Sequence, residues 1–224
     1  MRRMSALWGL WMLAVASVVV APAAGAEVLF CEGRLVTMTG AGTIVGTPGP
    51  DVIMGSAGPD LVMAGEGEDA VCSMAGDDRV FGGPGFDLLV GGAGNDMLAG
   101  EDGDDGIIGD DLSGRVAGHD SLSGGPGNDF ITGVQGNDRI AGGTGDDQLF
   151  GGPGTDQLAG GDGVDLIYGN FGSDQLSGGE GDDALFGDSP ATGPFGGPVD
   201  LSAHTDSCAG GAGTNTFDLC ELVQ

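Results

Sequence analysis

Aspartate recurs every nine residues along most of this 224-residue chain. Carboxylates and exposed turn carbonyls are hard oxygen ligands, and calcium accepts six to eight of them in flexible geometry. Magnesium demands a tighter octahedron and gives up its water reluctantly. The pattern therefore predicts calcium as the bound ion. The candidate metal ligands are Asp51, Asp60, Asp69, Asp78, Asp87, Asp96, Asp105, Asp120, Asp129, Asp138, Asp147, Asp156, Asp165, Asp174 and Asp183.

Nine-residue units, counted from Gly46, carry these aspartates in the sixth place and predict a stacked β-structure. Six residues of each unit are turn-like, with glycines that supply positive φ, and three are strand-like. The eighth place is always apolar, which predicts one inward side chain between two outward ones. Two units then form one coil with a strand on each side, and each unit stacks on the next but one. The inward set is Ile53, Val62, Val71, Val80, Leu89, Leu98, Ile107, Leu122, Ile131, Ile140, Leu149, Leu158, Ile167, Leu176 and Leu185.

This stacking arranges the aspartates in two columns, one along each edge of the coil. One column runs from Asp51 to Asp183 and the other from Asp60 to Asp174. Each column repels itself unless cations lie between its members. One ion in each gap gives up to about 13 calcium ions. Asp206 and Asn215 are candidates to extend each column by one weak site.

The units GGPGFDLLV, GGAGNDMLA and GGTGDDQLF resemble the glycine-rich nonapeptides of hemolysin-type calcium-binding (RTX) repeats. The resemblance covers Gly46 to Phe186 and a last unit from Gly210. It implies an all-β, right-handed parallel β-roll, a calcium-stacked β-solenoid in which aspartate carboxylates and turn carbonyls bind the ions. Two units lack the first-place glycine and begin at Ala64 and Ser73, which predicts strained turns or weaker sites. Without calcium, the composition is also that of a disordered linker.

Residues 1–26 read as a secretory signal peptide, with a basic start, an apolar core and an Ala-Gly-Ala cleavage site before Glu27. We expect a secreted, extracellular protein without membrane insertion after processing, although association with a cell surface stays open. With 34 acidic and 6 basic residues, the formal net charge of −28 argues against nucleic-acid partners.

Four cysteines allow three disulfide connectivities in an oxidising compartment. We favour Cys31–Cys72 and Cys208–Cys220, because two cysteines lie at each end of the repeated region.

The chain divides into the signal peptide, an N-terminal cap (27–45), the repeat region (46–186) with an inserted loop at 109–119, and a loop with a C-terminal capping repeat (187–224). Each interruption begins with Gly-Asp, so Asp110 and Asp188 are candidate additional ligands.

We expect no catalytic activity, because the sequence contains neither H-E-x-x-H nor G-x-S-x-G and has only two isolated histidines. The predicted function is a secreted β-roll that folds on binding calcium. The alternative is an extracellular adhesin or cell-surface interaction module that uses the roll as a scaffold, with an unknown protein or glycan partner.

Overall fold

The computed structural model describes residues 30–111, 117–188, 206–218 and 221–222. Within these residues the secondary structure consists of β-strands joined by turns. The same part of the chain has no helix long and apolar enough to cross a membrane. The signal peptide predicted at residues 1–26 lies outside the described residues.

A small hairpin precedes the repeats. Strand β1 (Phe30–Cys31) pairs antiparallel with β2 (Arg34–Leu35). The turn residues Glu32 and Gly33 both have positive φ, the requirement of a tight two-residue hairpin turn. Cys31 is buried and forms a disulfide with Cys72, which confirms the first predicted pair and attaches the hairpin to the repeats.

The second predicted pair is only half described. Cys208 is disulfide-bonded. Its predicted partner Cys220 lies outside the described residues.

The repeats form two ten-stranded parallel sheets whose strands alternate along the chain. The first sheet contains β3 (Met38–Thr39), β5 (Val52–Ser56), β7 (Ala70–Ala75), β9 (Leu88–Ala93), β11 (Gly106–Asp110), β13 (Phe130–Thr132), β15 (Gln148–Gly154), β17 (Leu166–Gly172), β19 (Ala184–Asp188) and β21 (Thr216–Asp218). The second contains β4 (Thr43–Val45), β6 (Leu61–Met63), β8 (Arg79–Phe81), β10 (Met97–Ala99), β12 (Ser121–Pro126), β14 (Arg139–Thr144), β16 (Gln157–Asp162), β18 (Gln175–Glu180), β20 (Ser207–Ala212) and β22 (Glu221–Leu222). This is the predicted all-β parallel β-roll.

The strand register shows the coil of two nonapeptides. Ile53 lies beside Val71 in the first sheet, and Val62 lies beside Val80 in the second, so each residue pairs with its equivalent two nonapeptides later. The sequence offset is larger between Leu98 and Leu122, where the first interruption occurs. It is larger again between Leu176 and Cys208, at the second interruption. The same side chains therefore point inward on either side of both interruptions.

The core between the sheets is a single file of eighth-place side chains, as predicted. All fifteen are at most 3% exposed and belong to one hydrophobic cluster. Ile44 and Cys208 occupy equivalent inward positions near the two ends of the file. The first coil of the sheets thus begins at β3 and β4, within the segment predicted as a cap.

The turns stack so closely that glycine is required at the fourth place. Gly85 has a φ of 145°, and a Cβ added to it would overlap the carbonyl oxygen of Gly67 in the preceding coil. The second place also takes positive φ, and Met74 and Val134 adopt it at 84° and 81° without being glycine. Such backbone costs about 1–3 kcal/mol at each residue. Met74 has this strain in the unit that begins at Ser73, but Val134 has it in a unit that begins with Gly133, so the strain does not follow from the missing first-place glycine.

Candidate metal sites

Hydrogen bonds from one coil to the next hold the sixth-place aspartates. The backbone N–H of Asp69 donates to Oδ1 of Asp87 at 2.8 Å, and the N–H of Leu88 donates to the carbonyl of Asp69 at 2.9 Å. The carboxylate-to-amide bond recurs along both edges, so the two predicted columns are formed. One runs from Asp51 through Asp183 to Asn215, and the other from Asp60 through Asp174 to Asp206.

The second oxygen of most of these carboxylates has no donor. In twelve of the sixth-place aspartates the Oδ2 atom is buried and makes no hydrogen bond within the described structure. A buried carboxylate with an unsatisfied oxygen is costly unless a proton or a cation compensates it. The twelve are Asp69, Asp78, Asp87, Asp96, Asp105, Asp120, Asp129, Asp138, Asp147, Asp156, Asp165 and Asp183.

The first-place glycine leaves room beside each unsatisfied oxygen. A Cβ added to Gly91 would lie 2.5 Å from Oδ2 of Asp96 and would overlap the carbonyl oxygen of Gly109, one coil later. A hard carboxylate oxygen and a hard carbonyl oxygen thus border one space that a side chain would fill. Ten of the twelve aspartates have such a glycine in the first place. The donor set and the space fit calcium, which takes oxygen ligands in irregular geometry.

Side chains occupy the first place in the other two units. Ala64 and Ser73 are fully buried there, and Ala64 belongs to the hydrophobic core cluster. The hydroxyl of Ser73 donates to the carbonyl oxygen of Gly91 at 2.8 Å. It also lies close enough to Asp78 to lower the pKa of that carboxyl in part, against the larger effect of burial, which raises it. These side chains reduce the space beside Asp69 and Asp78.

The first two repeats satisfy their own carboxylates. Oδ2 of Asp51 accepts hydrogen bonds from the N–H and the hydroxyl of Thr47, at 2.6 and 2.9 Å. Oδ2 of Asp60 accepts one from the N–H of Ser56 at 2.7 Å. Among the fifteen predicted ligands, these two aspartates therefore have the least need of a cation.

No group of three or more His, Cys, Asp or Glu side chains gathers at one point in the described part of the chain. Each site would thus combine one or two carboxylates with backbone carbonyl oxygens. This composition suits a cation that accepts neutral oxygen ligands, as calcium does.

Burial raises the pKa of the column carboxyls from Asp69 to Asp165. The pKa rises to about 7 for Asp105 and Asp147, and to about 8 for Asp120 and Asp156. Desolvation is the largest cause, the hydrogen bond from the preceding aspartate N–H opposes it, and repulsion from neighbouring carboxylates adds to it. The columns therefore hold protons tightly when no metal competes.

A pH dependence follows for the metal-free protein. An unfolded aspartate has a pKa of about 3.9, below the folded values, so protonation favours the folded state. That stabilisation is complete below about pH 4 and is lost as the pH rises through about 6–8. We expect metal-free protein to gain β-structure between about pH 8 and pH 5, measured by far-ultraviolet circular dichroism. A β-content that is constant, or that is greater at pH 8, would contradict the assignment of these carboxyls.

The structure also reveals a second hydrogen-bond ladder, at the fifth place of the units, which the nine-residue period alone does not predict. Fifth-place side chains accept a hydrogen bond from the N–H of the fifth-place residue one coil later. Asn128 Oδ1 accepts from Asp146 at 2.8 Å, and Asp146 Oδ1 accepts from Val164 at 2.9 Å. The other edge has the same pattern, in which His119 Nδ1 accepts from Asn137 at 2.8 Å. The frequent occurrence of Asp and Asn in the fifth place is the feature of the sequence that indicates this ladder.

Comparison with known proteins agrees with this geometry. The family model described as RTX calcium-binding nonapeptide repeat (4 copies) matches residues 37–71, 45–80, 73–107, 116–149, 132–167 and 159–189. These matches span most of both sheets. No match to the chain is found among curated proteins.

Proposed function

Because the chain belongs to the family of RTX calcium-binding nonapeptide repeats, we propose that it folds by binding up to about 13 calcium ions along its two columns. The observation that carries this proposal is the set of twelve buried Oδ2 atoms without a hydrogen-bond donor. Each of these atoms would supply one carboxylate ligand. Carbonyl oxygens of the stacked turns would supply others.

The electrostatics explain why metal binding and folding form one process. The chain has a formal net charge of −28, and folding brings the aspartates of each column into consecutive stacked coils. Bound calcium supplies positive charge between carboxylates that otherwise repel one another. Because the sites exist only when adjacent coils stack, the free energy of binding contributes directly to folding.

Export would place the protein where calcium is abundant. The signal peptide expected at residues 1–26 directs the chain out of the cell. The Cys31–Cys72 disulfide supports this destination, since disulfides persist in oxidising compartments. Extracellular calcium modules bind at about 10⁻⁴–10⁻³ M, so export itself would trigger folding.

We assign no catalysis to the chain. Where Asp occupies both the fifth and the sixth place, the two carboxylates resemble a pair of catalytic acids. The sixth-place member of each pair lies in one of the two columns. His119 accepts a backbone hydrogen bond in the fifth-place ladder. The proposed role is an extracellular calcium buffer or a structural protein that calcium stiffens.

The test is the number of ions that the mature chain, residues 27–224, binds. Isothermal titration calorimetry with calcium at neutral pH is expected to give about 11–13 ions per chain, with the sites beside Ala64 and Ser73 the weakest. Magnesium at the same concentrations is the control and should give little heat. A count of one or two calcium ions would reject the columns as binding sites.

A further inference from the structure

The first interruption brings a second buried carboxylate into one of the columns. Asp110 follows the first-place glycine of the turn that contains Asp120, and it pairs with Gly92 at the end of β11. The side chain of Asp110 is completely buried. Most other second-place residues are glycine, and Glu101, another acid in that place, is exposed.

One oxygen of Asp110 accepts a hydrogen bond of normal geometry and the other accepts none, although the N–H of Gly118 is near enough to lower the pKa of the carboxyl in part, against the larger effect of burial. Its Oδ2 accepts a hydrogen bond from the N–H of Gln135 at 3.1 Å. Its Oδ1 is buried and makes no hydrogen bond within the described structure. In the same turn, Oδ2 of Asp120 is also buried without a donor. Two carboxylates of one turn thus each present an unsatisfied buried oxygen.

The carboxylates of Asp110 and Asp120 lie close together beside Gly118. A Cβ added to Gly118 would lie 2.7 Å from Oδ1 of Asp120, 3.0 Å from Oδ1 of Asp110, and in overlap with the carbonyl oxygen of Gly94. The Asp120 oxygen at this place also accepts the N–H of Asp96, whereas the donor-free Oδ2 of Asp120 lies beside Gly109. At another fourth-place glycine, Gly154, the added atom meets only its own unit's Asp156 and the backbone of Gly136. The additional oxygen is therefore contributed by Asp110.

We propose that Asp110 is a calcium ligand and that Asp110 and Asp120 together hold the most tightly bound ion of the roll. The inference rests on the proposed function. A regular column supplies, on average, about one carboxylate for each divalent ion, which leaves excess positive charge. Asp110 supplies the second carboxylate and neutralises the ion. Calcium affinity increases with the number of charged ligands at a site.

The surrounding charges agree with this assignment. Asp96, Asp120 and Asp138 belong to three consecutive coils of one column. Their carboxylates and that of Asp110 repel one another. A second negative charge in this position destabilises the metal-free fold. It therefore requires a compensating cation more than any regular turn does.

The experiment follows release of calcium from the folded, calcium-loaded mature protein after mixing with a fluorescent chelator. One ion per chain should leave at least about tenfold more slowly than the others. Asp110→Asn retains an acceptor for Gln135 but removes the charge, and it should abolish the slow phase. Asp102→Asn removes one negative charge from an exposed third-place side chain, and this variant should retain the slow phase.

A crystal structure of the calcium-loaded wild-type protein tests the ligand independently of any variant. An ion within about 2.3–2.6 Å of an Asp110 oxygen supports the inference. Ions in other turns but none on Asp110, or identical release from Asp110→Asn and Asp102→Asn, would overturn it and leave the proposed function intact. Failure of the wild-type protein to bind calcium at all would instead reject the proposed function.

Discussion

Asp147→Asn is expected to remove one bound calcium ion and to lower the stability of the calcium-saturated protein by about 3 kcal/mol. That figure is the contribution of one site when free calcium is about 100 times its dissociation constant. The substitution retains an acceptor for the N–H of Asp129, which donates to Oδ1 of Asp147 at 2.8 Å. It removes the charge at Oδ2, the buried oxygen without a donor. Thermal unfolding should therefore begin about 5–10 °C lower.

Asp146→Asn is the matched control, because it removes the same charge from the adjacent residue. Asp146 is exposed, and its hydrogen bond to the N–H of Val164 needs only a neutral oxygen, which Asn supplies. The change in stability should stay within about 0.5 kcal/mol. The number of bound ions should not change. Equal losses in the two variants would show that the sixth place holds no special ligand.

The fold could be predicted because the periodic pattern determines it directly. An apolar residue in every eighth place, such as Leu89 or Ile107, can be buried only if the nonapeptides coil and stack. The glycines at Gly67 and Gly85 permit that stacking, since any Cβ at the latter would meet the preceding backbone. These requirements repeat many times, so one consistent arrangement satisfies all of them. The two aspartate columns follow from the same coil of two nonapeptides.

Other parts of the site depended on local contacts that no period encodes. Thr47 satisfies Asp51 through its own hydroxyl and amide, a contact fixed by one turn's conformation. The burial of Asp110, at the start of the first interruption, is likewise a feature of one unit that the period does not encode. The fifth-place ladder was overlooked because its members, including His119 and Asn128, vary in type while sharing an acceptor atom.

The interruptions change the pairing offset but preserve the contacts that build the roll. Leu122 and Cys208 still occupy inward positions beside Leu98 and Leu176. The carboxylate-to-amide bond also survives, from Asp96 to Asp120 and from Asp174 to Asp206. Each column is therefore continuous along the described roll, as a single cooperative array of sites requires.

The largest expected effect is that of calcium removal from the whole protein. The inward file provides one aliphatic side chain per nonapeptide, whereas ordering each residue of a glycine-rich chain costs about 1–2 kcal/mol. The columns add repulsion as the pH rises through about 6–8, because their carboxyls then lose the protons that neutralise them. Without calcium, we therefore expect the two sheets to come apart cooperatively, because each coil depends on its neighbours.

Far-ultraviolet circular dichroism of the mature chain at about pH 8 tests this claim most directly, with calcium titrated into chelated protein. We predict a largely disordered spectrum in excess chelator and a steep gain of β-structure at about 10⁻⁴–10⁻³ M free calcium. Magnesium over the same range should produce no such transition. A well-ordered β-spectrum that persists unchanged in excess chelator would contradict the claim that calcium binding drives the folding of this protein.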